Sequence, residues 1–220
     1  MLTFEDVKKN PLIHEYISQT EGYMKFLGFT DHGFKHSEVV ATRARELALG
    51  AGLSLKLQEL AAMAGYCHDM GNFLGREQHH YWGAMLFGQA MGSTLDPSEL
   101  TCIMQAIAAH DKDEIKIPNP IAACLIIADK SDVRRSRVIN STEDNRKVDI
   151  HDRLNYAVTA NELAVDAKAK KVTLKIKIDV NQAPIMEYFE IFADRMAYSR
   201  KAAAVLGMKF GLVINHFKLL

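Results

Sequence analysis

The stretch LSLKLQELAAMAGYCHDMG, residues 53–71, decides how the rest of the chain is read. Leu57, Leu60, Ala61 and Ala64 recur at the spacing of one helix face, and the run closes on His68 and Asp69 before Gly71 marks the exit. A histidine and an aspartate at the end of an apolar helix are costly unless groups of suitable chemistry meet them. Those groups have to come from other segments, so each neighbouring segment is read for what it brings to this helix end.

Upstream, HSEVVATRARELALGAG places Val40, Ala44, Leu47 and Ala48 on one helical face, with His36 near its start and Gly50 and Gly52 at its close. Downstream, HHYWGAMLFGQAMG predicts a third helix beginning with His79 and His80. In DPSEL, Asp96 is an N-cap, Pro97 a first-turn proline and Glu99 the acid three residues after the cap. The helix that follows aligns His110 with Leu100, Ile103 and Ile107. Pro118 and Pro120 open IAACLIIADKSDVRRSRV, where Ile121, Leu125, Ala128 and Asp132 keep helical spacing and Asp129 lies beside that stripe. IHDRLNYAVTANELAVDAKAK, residues 150–170, predicts one further helix.

The pattern changes at residue 172, where VTLKIKIDV alternates apolar and polar residues as a half-buried strand does. A long amphipathic helix through APIMEYFEIFADRMAYSRKAAAVLG ends at Gly207, and MKFGLVINHFKLL is a second alternating stretch. Phe192 and Met196 are expected between that helix and its strands. The fold class is mainly α: a helical domain over residues 1–170 and a small C-terminal α+β, strand–helix–strand appendix over residues 171–220. Unpaired strand edges in the appendix suggest a homodimer.

Composition narrows the function classes. With 220 residues, 48% of them hydrophobic and 25% charged, the chain is an ordinary globular protein with enough length for a full core. Lys+Arg and Asp+Glu are both 27, so no global field draws in duplex nucleic acid, and an anionic ligand must be held by a local cluster. Cys67, Cys102 and Cys124 lie inside apolar runs, as reduced buried thiols do. The charged N-terminal stretch MLTFEDVKKNPLIHEYI lacks a signal-peptide core and no apolar run is long enough for a membrane span, so a cytoplasmic protein without a membrane partner is expected.

Collected along the chain, the chemistry-bearing residues are His36, His68, Asp69, His80, His110 and Asp129, each from a different helix apart from the adjacent pair. In the order H, HD, H, H, D they resemble the HD superfamily of metal-dependent phosphohydrolases. HGFKHSEVV is similar to the first motif of that family, AAMAGYCHDMGN to its signature, HHYWGA to its H-x-x-G-A motif through His80, AIAAHD to the later histidine and IIADKSDVRRSR to the closing aspartate. His79 is the competitor for His80, and spacing to Gly83 and Ala84 favours His80.

The resemblance implies an HD-type helical bundle in which His36, His68, Asp69 and Asp129 hold one divalent metal. His80 and His110 then hold a second, with Asp69 as bridge and the His68–Asp69 pair as the catalytic hub. Iron or manganese is implied, with magnesium, nickel, cobalt or zinc as further options, and a single ion is left open. Activated water would cleave a phosphate ester of a small molecule, most simply a nucleotide. The G-Y-P motif of cyclic-dinucleotide phosphodiesterases is missing, which leads away from that branch.

Beside these, Lys130, Arg134, Arg135 and Arg137 cluster within eight residues. Lys130, Arg134 and Arg137, with Lys112, are candidate contacts for a substrate phosphate, and a solvated helix end explains the cluster equally well. His32 and Asp132 are expected just behind the ligands, although a turn-stabilising role fits His32 as well. His14, His151 and His216 read as surface or packing residues. The family lysine after H-D-x-G is Asn72 here, a departure that keeps a non-catalytic metal- or nucleotide-binding regulatory module as the alternative.

Overall fold

A computed structural model describes residues 2–111, 116–139 and 150–219. Two N-terminal helices, the short α1 (Phe4–Lys8) and α2 (Pro11–Phe26), precede the bundle proper, α3 (Phe34–Gly50), α4 (Leu55–Cys67), α5 (His79–Met91), α6 (Pro97–Ala109) and α7 (Pro120–Lys130). Side-chain caps at Asn10, Ser54, Asp96 and Asn119 start α2, α4, α6 and α7, and in α2, α6 and α7 a proline opens the first turn. Each supplies an acceptor to otherwise unpaired helix-start amides.

The innermost helix is α7. Ile121 to Ala128 are without solvent exposure on every side, so this helix is surrounded rather than amphipathic. It packs against α3 and α4, and those two cross so closely at Gly65 that a Cβ there would stand 2.8 Å from the Ala41 backbone. The close crossing brings the first turn of α3 beside the last turn of α4. A second close approach, of Gly71 and Gly83, lets the start of α5 abut the turn that follows α4.

A helix α8 (Ile150–Ala157) leads into a four-stranded sheet in the order β1 (Val158–Asp166), β2 (Lys171–Ile178), β3 (Lys209–Ile214), β4 (Phe217–Lys218). Strands β2 and β3 are parallel and joined by α9 (Ile185–Val205); the flanking pairs are antiparallel. Val172, Leu174, Ile176, Phe210 and Leu212 form the buried sheet face, and α9 lies against both β3 and α7. The fold is thus the expected mainly helical bundle with a small C-terminal α+β part.

Two local expectations are corrected. Residues 150–170 do not form one helix: the chain turns into strand at Val158, because Val172, Leu174 and Ile176 of β2 offer a partner edge that helix propensity does not register. The expected boundary near residue 170 lies in the β1–β2 turn, where Lys170 takes a left-handed conformation at φ 48°. The last alternating stretch is a hairpin rather than one strand, turning at Asn215 with φ 56°, and the Asn215 side chain accepts a hydrogen bond from the Ile178 amide at 2.8 Å.

Strand β1 also ties the appendix to the bundle. Asn161 donates from Nδ2 to the carbonyls of Ser131 and Val133 at 2.8 and 2.9 Å, holding the segment that follows α7. Among the described residues no helix is long and apolar enough to cross a membrane.

Candidate metal centre

The helix end that opens the sequence reading lies at the middle of the molecule. His68 caps α4 and is fully buried, and its Nδ1 donates to the Gly65 carbonyl at 2.8 Å, the unsatisfied acceptor one turn back. That bond fixes Nδ1 as the protonated nitrogen and turns Nε2 inward. His79 and His110 repeat the arrangement, donating from Nδ1 to Arg76 O at 2.8 Å and Ile107 O at 2.7 Å. In His36 the role falls to a carboxylate, with Asp132 Oδ2 at 2.7 Å from Nδ1.

Four imidazoles therefore aim Nε2 into one space. The His36 and His68 Nε2 atoms lie 3.3 Å apart, those of His79 and His110 3.2 Å apart. Two neutral nitrogens with facing lone pairs repel, so each pair calls for something positive between its members. Asp69 stands between the pairs with one oxygen toward each. Its Oδ2 is 3.5 Å from His36 Nε2 and 3.2 Å from His68 Nε2, and its Oδ1 is 3.3 Å from His79 Nε2 and 3.7 Å from His110 Nε2. Asp129 Oδ1 closes the first group at 3.3 Å from His36 and 3.6 Å from His68.

These spacings suit a metal. Donors about 2.1 Å from a common ion in a tetrahedral shell are about 3.4 Å from one another. Nitrogen and carboxylate donors of this kind take iron, manganese, zinc or their neighbours. Three groups of potential ligands with mutually close donor atoms fall in this core: His36, His68, Asp69; His68, His110, Asp129; and Asp69, His79, His110.

The electrostatics of the polypeptide itself match. Burial opposes charge on His68, yet the Asp69 and Asp129 carboxylates outweigh it and raise the imidazole to about 10, so a proton takes the place of a cation. Burial also opposes charge on Asp69 and Asp129, but the first is held well below the carboxylate range by His68 and His110, the second by Lys130 and His36. His110 is lowered by burial and stays neutral, as a ligand must.

At the start of α5, where His80 was expected as the ligand, it is the Nε2 of His79 that faces Asp69. Gly83 is four residues after His79, hence on the same helix face, and that face lies against the His68 carbonyl. Successive helix residues diverge by about 100°. His80 is buried with its ring 4.1 Å from that of Tyr81, and its donor atom falls with those of His79 and Asp111 within 4.8 Å.

Of the expected phosphate contacts, Lys130 and Arg137 line the cavity at the centre but are engaged by protein acceptors. Lys130 Nζ is held by Asp129 Oδ2 at 2.9 Å and Asp111 Oδ1 at 3.0 Å. Arg134 Nε is bound to Asp132 Oδ1 at 2.8 Å and does not line the cavity at the centre. Arg137 binds the carbonyls of Asp31 and Asp132. The cluster thus braces the carboxylates that hold His36 and the end of α7, because a buried carboxylate commits the nearest cation first. Lys112 lies outside the described residues.

That cavity measures about 180 Å³ and opens over Asp69, His79, His110 and Asp129. His32, expected behind the ligands, lines it with Nδ1 toward Thr30 O, and burial lowers its imidazole well below the usual range. Asp132 bonds His36 from behind. His151, read as a surface or packing residue, is on the wall, as is Phe192, expected between the long helix and its strands; Arg76 and Arg195, which the sequence reading did not single out, line it too. Asn72 donates from Nδ2 to Asp69 O and Oδ1 at 2.8 and 3.0 Å, and Arg76 donates to Asn72 Oδ1 at 2.9 Å. A cation is therefore present beside the pair, supplied four residues after Asn72.

A family model described as HD domain matches residues 33–156, more than half of the chain. A search among curated proteins finds no match.

Proposed function

This chain belongs to the HD domain family, and from that premise we propose that it is a metal-dependent phosphohydrolase acting on a phosphate ester of a small molecule, a nucleotide being the leading candidate. The observation that carries this reading is the division of Asp69: one carboxylate oxygen for the His36–His68 pair, the other for the His79–His110 pair. A second carboxylate, Asp129, stands beside the first pair, 3.3 Å from His36 and 3.6 Å from His68. His36, His68, Asp69 and Asp129 would hold one ion, and Asp69, His79 and His110 a second.

Two divalent ions so held supply positive charge to phosphate oxygens and lower the pKa of water enough for attack near neutral pH. The chain's residues do the rest. Asp69 sets the spacing of the two groups through its two oxygens. Nδ1 bonds to backbone carbonyls and Asp132 keep the four Nε2 atoms aimed inward as the donors a metal would take. Neutral imidazoles leave the centre with only two carboxylate charges, so the loaded site remains cationic toward phosphate.

The test is hydrolysis of a generic phosphate ester and a nucleotide panel with Mn²⁺, Fe²⁺, Co²⁺, Ni²⁺ or Mg²⁺, with Asp69→Ala as control. Turnover that needs a metal and Asp69 is expected. Turnover equal to the control with every metal removes the reading for those substrates. The alternative, a regulatory module, draws on Asn72, whose amide occupies a lone pair of Asp69 Oδ1; stoichiometric metal uptake without turnover would favour it. A homodimer through the sheet edges is a further proposal, checked by light scattering at micromolar concentration.

A further inference from the structure

The cavity is lined by Asp69, His79, His110 and Asp129 of the metal centre, and also by residues from a different part of the chain. Phe192 and Arg195 of α9 reach it from the C-terminal appendix. Three other cations line the same space, and all are committed: Lys130 to Asp111 and Asp129, Arg137 to the Asp31 and Asp132 carbonyls, Arg76 to Asn72. Arg195 differs. Among the described residues it has no ion-pair partner and no side-chain hydrogen bond, and its guanidinium lies 4.9 Å from the centre of the Phe192 ring.

A half-buried guanidinium without a carboxylate is unusual, since burial penalises its charge. Here burial lowers its affinity for a proton, and Arg137 and Arg76 push in the same direction while Asp129 and Asp111 oppose them. The Phe192 ring beside it leaves its N–H donors without a protein acceptor among the described residues, and Arg195 lines the cavity. A planar fork of this kind suits phosphate oxygens.

We infer that Arg195 is the side chain that binds the phosphoryl oxygens of the substrate in the cavity it shares with the metal centre, so that the appendix completes the substrate pocket of the HD domain. This rests on the phosphohydrolase reading for the identity of the anion. The ligand class is a dianionic phosphoryl group: a guanidinium fork sharing one cavity with a cationic centre suits a group with several non-bridging oxygens, whereas a neutral ligand leaves Arg195 unpaired.

The experiment titrates inorganic phosphate into the Mn²⁺-loaded full chain by calorimetry, with bound Mn²⁺ counted separately, for wild type, Arg195→Gln, Arg195→Lys and Arg200→Gln. Arg200 is exposed on the same helix and serves as the control. Expected is a phosphate affinity roughly tenfold to hundredfold weaker in Arg195→Gln, as for loss of a charge-assisted contact. Arg195→Lys should be intermediate, Arg200→Gln unchanged, and Mn²⁺ content equal throughout. Equal phosphate affinity in wild type and Arg195→Gln overturns the inference. Should Arg195→Gln fail to fold, Arg195→Lys decides alone, because a lysine that binds phosphate as tightly as wild type shows the fork to be irrelevant. A wild-type chain that takes up no Mn²⁺ overturns the phosphohydrolase reading instead, and the phosphate titration then judges Arg195 on the metal-free chain by the same criterion.

Discussion

Asp132 Oδ2 lies 2.7 Å from His36 Nδ1, and the same carboxylate receives Arg134 Nε at 2.8 Å through its other oxygen. The aspartate orients the imidazole and the arginine holds the aspartate, so a residue that touches no metal governs one that would. Substituting Asp132→Asn keeps the shape but replaces the acceptor facing Nδ1 with a weaker or wrongly oriented group. Metal affinity should fall about 10- to 100-fold, as for other partners of ligating histidines. Binding competition with a fluorescent chelator measures it, and an unchanged affinity would show that His36 needs no such support.

His79 and His80 separate two accounts of the second group of ligands. His79→Ala removes the nitrogen facing Asp69 Oδ1, and the expected outcome is one bound ion per chain in place of two, counted by elemental analysis. His80→Ala should leave the count unchanged while lowering the melting temperature, since His80 is buried. The reverse pattern would return the ligand role to His80.

Most of the bundle was legible because caps, prolines and helical periodicity agree with the final packing, as at Asp96–Pro97 before α6. What the sequence could not disclose is where an element's partner lies. The stretch after Ala157 is strand because β2 pairs with it, and no local pattern reports a hairpin partner across a turn. The site divided in the same way. His36, His68, Asp69, His110 and Asp129 were legible through the motif order that resembles the HD superfamily, each motif falling at or near a helix end. Whether His79 or His80 faces Asp69 depends on the Gly71–Gly83 contact, and Arg195 becomes relevant only once α9 packs on α7.

The proton on His68 and a metal compete for one place, which fixes the sign of a pH effect. In the metal-free chain the imidazole rises from 6.5 to about 10, so its contribution to stability is complete below 6.5 and is lost as pH climbs toward 10. Metal binding gains over the same range, because fewer protons must leave. The depressed Asp69 and Asp129 carboxylates give the opposite slope only as pH falls through the acid range. The difference in melting temperature between Mn²⁺-loaded and chelator-treated protein should therefore widen from about pH 6.5 to about pH 9 under anaerobic conditions. A gap that stays constant or narrows contradicts the assignment of that proton to the metal position.

Gly65 couples the packing of the bundle to the geometry of the centre. Its Cα lies at the crossing of α3 and α4, where a Cβ would stand 2.8 Å from Ala41 Cα and 2.9 Å from Ala41 N. Those are backbone atoms, so no side-chain rotation relieves the overlap and the helices must separate. Gly65→Ala gains helix propensity of about 1 kcal/mol but incurs an overpacking cost of about 1–3 kcal/mol. The net effect on urea unfolding should be modest, from near zero to about 2 kcal/mol of destabilisation. The larger effect falls on metal uptake, because His36 rides on α3 and His68 on the end of α4, and their Nε2 atoms are 3.3 Å apart in the present packing. Widening that gap by a few tenths of an ångström detunes two donors to one ion. The expected result is a variant that keeps most of its stability in urea and loses at least tenfold in metal affinity; equal losses in both would make Gly65 a packing residue alone.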